Sequence, residues 1–361
     1  MAVYNNMDIS WNINNYIDWN NNSCYNFDNL LRLNISKCNI QHLNHISRLF
    51  NLEHLICSHN NITTVSSMSL RQLKTLEIGH NQLTKINGLD TPNLITFKFV
   101  NNKVKFVNGS FQKLRHFHAD SNQISSIKCI FENLITFSAS YNNIATLQNL
   151  NLSTVLRLSC QNNQISQFTV PDKVQTLNMG NNNLSAISFS HSMKELDVHG
   201  NNISILDDIC TNGLIFLNCG RNKITLLPIN LQNVIFLVYY ENNIPDISNV
   251  ILGKCRELHC AKTNTIIINN NLSTIRKLKC PGNKIASLNF LHDNLIMLDI
   301  MANPINNIDI SLQNLTVLNC AYTNIMAIQS LPKIKKITHS SYQEQLFSSY
   351  NSINKISYEV T

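Results

Sequence analysis

A spacing of apolar side chains recurs along this chain about every 20 residues. In Leu73–Leu83, apolar residues stand at positions 1, 4, 6 and 11, and an asparagine stands at position 9. Residues two apart face the same side of a β-strand, so positions 4 and 6 predict a short strand with one buried face. Another apolar residue follows at position 14 and extends the predicted core.

The same frame fits fifteen segments, and the intervals between Cys38 and Thr323 average about 20.4 residues. Three segments depart from it at position 9, where Cys38, Thr263 and Thr323 stand. One repeat cannot bury its apolar positions alone, so the repeats are expected to stack. The other twelve carry the asparagines Asn60, Asn81, Asn102, Asn122, Asn142, Asn163, Asn182, Asn201, Asn222, Asn242, Asn283 and Asn303.

This pattern resembles the leucine-rich repeat family, whose consensus is L-x-x-L-x-L-x-x-N/C-x-L. The resemblance covers residues 30–331 and is closest to the kinds with short repeats of 20–22 residues. The Asn- and Ile-rich composition of the repeats is also similar to that of repeat proteins of large DNA viruses. The resemblance implies an α/β-type solenoid, a horseshoe or arc with a parallel concave β-sheet. Only about six residues join position 14 to the next strand, which favours extended or 3₁₀ segments on the convex side.

The ends of a repeat stack need caps that cover the terminal apolar faces. We predict an N-terminal cap at residues 1–29, which include Trp11 and Trp19. The repeats and a degenerate last strand occupy 30–339. A C-terminal cap is predicted at 340–361, which include Phe347 and Tyr350.

Asparagine makes up 59 of the 361 residues, and the frame explains only part of this number. At position 9 the chain turns away from the strand, and an inward amide can satisfy backbone N–H and C=O groups there. The twelve asparagines at this position therefore predict a structural ladder. The other 47 stand mainly where Ser, Lys or Asp would also serve, which indicates coding bias rather than chemistry.

Eleven cysteines are present, and six of them occupy the apolar position 6. This position favours small buried side chains over a thiol or metal cluster. The first residues lack a basic and then apolar leader, and no apolar run is long enough to span a bilayer. We therefore expect an intracellular, cytoplasmic protein that is not attached to a membrane.

The charge is low, with 14% charged residues and a net charge of +7, and the apolar fraction of 43% suffices for a core. These values exclude a disordered polyelectrolyte. Weak nucleic-acid or metal binding stays open as a third function. The basic and histidine residues concerned are Arg256, Lys262, Arg276, Lys277, Lys279, Lys333, Lys335, Lys336, His54, His59, His80, His116, His118, His199 and His259.

The concave face is where a partner is expected to bind, through positions 3, 5, 7 and 8. From Phe216 onward these positions gain aromatic and apolar residues that suit a protein anchor. The candidate partner-binding residues are Phe216, Phe236, Val238, Tyr240, Met297, Val317 and Tyr322.

No sequence motif of catalysis, cofactor binding or metal binding occurs in the chain. Glu195 and Asp197 form a carboxylate pair, but an open sheet offers no pocket that would shift their pKa values. The sequence therefore predicts a monomeric, non-enzymatic protein–protein interaction module without cofactor, and disfavours nucleic acid as the partner. The alternative is a structural solenoid with no specific partner.

Overall fold

The computed structural model describes residues 30–43, 46–65, 68–188, 190–206, 211–268, 272–288, 293–308, 312–328, 331–348 and 357–360. The chain divides into two compact units, unit 1 (Met1–Asn182) and unit 2 (Asn183–Thr361). The predicted cap at 1–29, with Trp11 and Trp19, lies outside the described residues, and so does Tyr350.

Unit 1 contains eleven strands in its described part and one 3₁₀ turn, Ile46–Arg48. Eight strands pair in parallel in the order β1-β2-β3-β5-β7-β9-β10-β11 and form its main sheet. The strands are β1 (Arg32–Asn34), β2 (His54–Ile56), β3 (Thr75–Glu77), β4 (Lys85–Ile86), β5 (Thr96–Lys98), β6 (Phe106–Phe111), β7 (His116–His118), β8 (Ser126–Phe131), β9 (Thr136–Ser138), β10 (Arg157–Ser159) and β11 (Thr176–Asn178).

The main-sheet strands of unit 1 are three residues long because only position 4 of each repeat is buried within them. In β3, Leu76 has no exposed surface, while Thr75 and Glu77 on either side are half-buried. The register is regular, since Leu76 pairs with Phe97 of the next repeat. The strands therefore stack with like positions side by side.

A second sheet lies at position 13 and beyond, and we call it the outer sheet. It consists of β4, β6 and β8 in parallel, and β6 and β8 pair over six residues. The sequence predicted extended segments here but not their pairing into a sheet.

Aromatic rings fill the core of unit 1 between the two sheets. Phe97, Phe99 and Phe117 are fully buried, and the rings of Phe99 and Phe117 meet edge to face with centroids 5.4 Å apart. Phe117 also stacks on Phe137 at 5.3 Å. Such ring pairs add to the stabilisation that burial of apolar area gives.

The described part of unit 2 has nine strands in its main sheet, in the parallel order β12-β13-β14-β15-β16-β17-β19-β21-β22, and a short parallel pair, β18 with β20. The strands are β12 (Glu195–Asp197), β13 (Phe216–Asn218), β14 (Phe236–Val238), β15 (Glu257–His259), β16 (Lys277–Lys279), β17 (Met297–Asp299), β18 (Asn307–Ile308), β19 (Val317–Asn319), β20 (Ala327–Ile328), β21 (Lys336–His339) and β22 (Ser357–Val360).

Unit 2 also contains 3₁₀ turns at Thr211–Gly213 and Ser341–Gln343 and the short helix α1 (Glu344–Phe347). Its main sheet ends in an arrangement that differs from the repeats. Phe347 is buried, with its ring 5.2 Å from that of His339. The Gln343 amide nitrogen donates to the Thr323 hydroxyl at 3.1 Å and to the Thr323 carbonyl at 3.3 Å. A glutamine thus binds the last repeat where the earlier repeats receive an asparagine.

The predicted fold class is confirmed, because the chain folds as a parallel β-solenoid of stacked coils joined by extended segments and 3₁₀ turns. The six cysteines at position 6 are free and have no exposed surface. Burial raises the pKa of the Cys219 thiol to about 12. These thiols therefore pack as uncharged apolar groups, as the repeat frame requires.

The asparagines at position 9 connect neighbouring repeats through both ends of the side-chain amide. The Asn81 amide nitrogen donates to the Ile78 carbonyl of its own repeat at 3.2 Å and to the Cys57 carbonyl of the preceding repeat at 3.0 Å. Its oxygen accepts the backbone N–H of Ile62 at 2.9 Å. All twelve asparagines named above accept the N–H at position 11 of the preceding repeat in this way.

A second set of asparagines, which we call the outer asparagine column, precedes position 1 of its repeats. Each member donates from its amide nitrogen to a backbone carbonyl of the preceding repeat, at 2.8–3.0 Å. Coding bias was therefore the wrong interpretation for these residues, because each makes a bond between repeats. They are Asn93, Asn133, Asn233, Asn294 and Asn314.

Candidate functional site

The solvent-facing side of the main sheet, the sheet face, carries ion pairs and hydrogen bonds between adjacent strands of unit 1. Lys74 binds Glu53 at 2.7 Å, and Lys98 binds Glu77 at 2.8 Å. The Ser138 hydroxyl donates to Asp120 at 2.6 Å. Each pair joins two repeats, so the polar face of unit 1 is largely satisfied by its own side chains.

Two histidines of unit 1 at position 8 of neighbouring repeats stack on each other. The rings of His59 and His80 have centroids 4.1 Å apart and are inclined by only 9°. Asn101 lies 3.3 Å from Nε2 of His80. Burial, and secondarily His59, lowers the pKa of His80, which favours the neutral ring. Within the described ranges, no three His, Cys, Asp or Glu side chains are grouped closely enough to hold a metal ion.

The sheet face of unit 2 brings together four of the seven candidate residues, Phe216, Phe236, Val238 and Tyr240, which we call the aromatic cluster. Phe216 on β13 pairs directly with Phe236 on β14. Phe236 exposes 38% of its surface, and the other three side chains are half-buried. The cluster is therefore a partly open apolar surface on two adjacent strands.

Tyr240 lies over the backbone of the preceding repeat because position 7 of that repeat is Gly220. A Cβ atom at residue 220 would overlap the Tyr240 ring, so only glycine leaves this space free. The Arg221 guanidinium lies 5.8 Å from the centre of the same ring, within the range of a cation–π contact. Arg221 also binds Glu241 at 2.9 Å, which holds the guanidinium beside the ring.

The other three candidate residues lie on a different part of the sheet face. Met297 on β17 pairs with Val317 on β19. Strands β15 and β16 separate them from the aromatic cluster, and there Lys277 binds Glu257 at 2.8 Å. Tyr322 follows β19 and exposes 55% of its surface. The seven residues therefore form two groups with a polar stretch between them.

Two of the basic residues singled out in the sequence lie on β16 of this face. Lys277 is in the ion pair with Glu257, and Lys279 lies in register with Asp299 on β17. Burial raises the pKa of Asp299. Lys277 and Lys279 therefore each have a carboxylate on a neighbouring strand.

The backbone at position 8 is left-handed in all fifteen repeats, which the sequence analysis missed. The φ angles lie between 51° and 65°, for example 56° at Tyr141 and 51° at Glu241. This region favours glycine and tolerates asparagine. Five of the fifteen residues give that signal, namely Asn101, Asn162, Asn181, Gly200 and Gly282.

The two carboxylates predicted as a pair, Glu195 and Asp197, have different surroundings. Asp197 accepts from Nδ1 of His199 at 2.6 Å and from the Asn218 amide at 3.2 Å, whereas Glu195 is exposed. The hydrogen bond that Nδ1 of His199 donates to the Asp197 carboxylate raises the pKa of His199. Asp197 therefore favours the protonated form of His199 and does not bind Glu195 in a carboxyl dyad.

Residues 51–91, which contain two adjacent repeats of this type, match the family model described as Leucine Rich repeats (2 copies). The fold is the leucine-rich repeat fold. It is also found in solved structures that align with most of the chain. Among curated proteins, none matches the sequence significantly.

Three solved leucine-rich repeat structures illustrate the similarity. YopM from Yersinia enterocolitica WA-314 is 18% identical with a TM-score of 0.65, and the match covers 85% of this chain and 77% of YopM. The functional domain of InlJ from Listeria monocytogenes, which includes a cysteine ladder, is 22% identical with a TM-score of 0.68 and coverage of 87% and 68%. A leucine-rich repeat protein of Leptospira interrogans is 18% identical with a TM-score of 0.67 and coverage of 92% and 90%.

At these identities the similarity shows the leucine-rich repeat fold alone. The expected likeness to viral repeat proteins finds no support in these matches, which come from bacteria. The described residues contain no helix long and apolar enough to cross a membrane. The cytoplasmic location stays a prediction from the sequence.

Proposed function

We propose that this protein is a non-enzymatic interaction module that binds a partner protein on the sheet face of unit 2, through the aromatic cluster. The leucine-rich repeat fold is in general a protein–protein interaction module. A rigid sheet loses little conformational entropy on binding, so its contacts contribute more fully to affinity.

The observation that carries this proposal is the register of Phe216 and Phe236 on adjacent strands. Two aromatic side chains side by side offer a partner apolar area that water otherwise covers, and such residues dominate binding energies at interfaces. Tyr240 extends this surface, and Arg221 lies beside it. Met297, Val317 and Tyr322 would then contact the same partner across the Glu257–Lys277 pair, or contribute little.

The test is a double variant, Phe216→Ala with Phe236→Ala, in the full chain. Tagged wild-type protein and variant are used to capture partners from extracts of the cells that make the protein, with quantification by mass spectrometry. We expect the main partner to be lost by about tenfold or more, because removing two aromatic anchors costs over 1.4 kcal/mol. The melting temperature should change little, because neither side chain is fully buried.

The matched control is Leu226→Ala with Ile229→Ala, which removes two apolar side chains that are 72% and 57% exposed away from the main-sheet strands of the same unit. Binding should survive in this control. Equal capture by the Phe216/Phe236 variant and the wild type would contradict the assignment. A protein that captures no reproducible partner would instead favour a structural solenoid without one.

A further inference from the structure

The outer sheet of unit 1 carries a cavity of about 370 Å³ on its solvent side. Its lining includes Lys85, Phe106, Asn108 and Lys128. The volume falls within the range of about 300–1,000 Å³ typical of ligand sites. The cavity is on different strands from the aromatic cluster and belongs to the other unit.

The strand register fixes how these side chains are arranged. Lys85, Phe106 and Ser126 form one row across β4, β6 and β8, and Asn108 and Lys128 belong to the row two residues further on. Phe106 and Asn108 are exposed while Val107 between them is buried, so the side chains of these two rows face solvent. Phe106 exposes 57% of its surface. The two lysines therefore stand at opposite corners of a surface with an aromatic ring between them.

The charges at this cavity have no ion-pair partner within the part of the chain that the structure describes. Neither Lys85 nor Lys128 takes part in an ion pair among the described residues. Lys105, next to Phe106 in sequence, is also exposed. Asp90, a carboxylate that follows β4, is already bound by Ser69 at 2.7 Å and by Arg71 at 3.1 Å. The surface is positive and partly apolar, which complements an anionic group next to an apolar one.

We propose that this cavity binds an extended acidic segment of a partner protein, with two carboxylates on either side of an apolar residue. Lys85 and Lys128 are two strands and two residues apart, which corresponds to about 12 Å between their backbone positions. In an extended peptide, residues i and i+4 lie on one face about 13 Å apart, with residue i+2 between them. The pattern acid-x-apolar-x-acid therefore places one carboxylate at each lysine and an apolar side chain at Phe106.

The experiment measures binding of a fluorescein-labelled peptide, Ser-Glu-Thr-Leu-Thr-Glu-Ser, to the full chain by fluorescence anisotropy. Lys85→Glu with Lys128→Glu should weaken binding about tenfold or more, because two attractive charge pairs become repulsive. Phe106→Ser should weaken it about threefold to tenfold through the loss of apolar contact. Raising the salt from 50 to 300 mM should weaken the wild-type interaction through screening.

The matched control is Lys223→Glu with Lys284→Glu, which makes the same change in net charge at two exposed lysines of unit 2. This variant should bind the peptide within about twofold of wild type, and a peptide with Gln in place of both Glu residues should bind at least about tenfold more weakly. Equal weakening by the two lysine variants would overturn the proposal, because net charge would then explain the binding. Lysine-dependent self-association in light scattering would also overturn it and assign the surface to a second copy of the chain.

Discussion

The carboxylate of Asp197 has the largest effect on the pKa of His199. The hydrogen bond between them raises the pKa of His199, against the opposing effects of burial and of Arg221. A group whose pKa is higher in the folded state stabilises the fold below its unfolded pKa of about 6.5. That contribution disappears as the pH rises through the folded value.

We therefore predict that Asp197→Asn lowers the pKa of His199 and that His199→Gln costs more stability at pH 5.5 than at pH 8.5. NMR titration of the histidine ring measures the first effect, and urea unfolding at the two pH values measures the second. His54, which belongs to unit 1, should titrate as in the wild type. An unchanged pKa of His199 in Asp197→Asn would show that another group controls it.

Single residues were also where prediction from the sequence was weakest. The left-handed turn at position 8 has a sequence signal at Gly282 or Asn162, but none at Tyr141 or Glu241, because the stacked hydrogen bonds impose the conformation on any side chain. Gly220 was not singled out in the sequence. Its role depends on Tyr240 of the next repeat, a contact that no property of residue 220 alone predicts.

The repeat as an element depends on two asparagine columns with different surroundings. Asn142 is 7% exposed and satisfies three carbonyls and one N–H in the core. Asn133, in the outer asparagine column, makes one exposed bond to the Gln112 carbonyl at 2.9 Å. An unmade hydrogen bond costs about 1–3 kcal/mol at a buried group but little at an exposed one, because water takes the place of the partner.

Asn142→Ala should therefore destabilise unit 1 by about 2–4 kcal/mol, and Asn133→Ala by less than about 1 kcal/mol. Chemical denaturation compares the two variants, and native-state hydrogen exchange at the Ile124 amide reports the loss locally. Equal destabilisation by both substitutions would contradict the difference in burial. An exchange rate at Ile124 that does not change would show that the Asn142 bond is not formed.

The asparagines at position 9 could be predicted from the sequence, because the period places position 9 directly after the strand of each repeat. The outer column could not, since its asparagines stand among other polar residues and its partners are backbone carbonyls of the preceding repeat. In the repeat that carries Thr263, other groups take part in the hydrogen bonding at position 9. The backbone carbonyl of Thr263 accepts the Ile244 N–H at 2.9 Å, and the Thr265 hydroxyl donates to the Ile244 carbonyl at 2.9 Å.

At the scale of the whole molecule, the period of about 20 residues sufficed to predict the parallel solenoid, since each apolar position repeats at a fixed offset. The candidate site was predicted less completely. Phe216 and Phe236 stand at position 3 of consecutive repeats and pair, whereas Met297 and Val317 pair with each other beyond two intervening strands and form a separate group. The outer-sheet cavity escaped notice because Lys85, Phe106 and Lys128 belong to three different repeats.

The exposed apolar side chains of unit 2 lie both on the sheet face and away from the main-sheet strands. The central question is therefore which of these two surfaces binds the partner. Leu226 and Ile229 expose more of their surface than Phe236 does. Exposure alone would place a partner on their side. The paired aromatic side chains and the Tyr240 platform favour the sheet face instead.

Site-specific photo-cross-linking tests this most directly, with p-benzoylphenylalanine placed at residue 236 or 240 on the sheet face, or at residue 226 or 229 as the matched control. We predict that 236 and 240 cross-link to one and the same partner protein and that 226 and 229 give no such product. Cross-links to a partner from 226 and 229, with none from 236 and 240, would contradict the account.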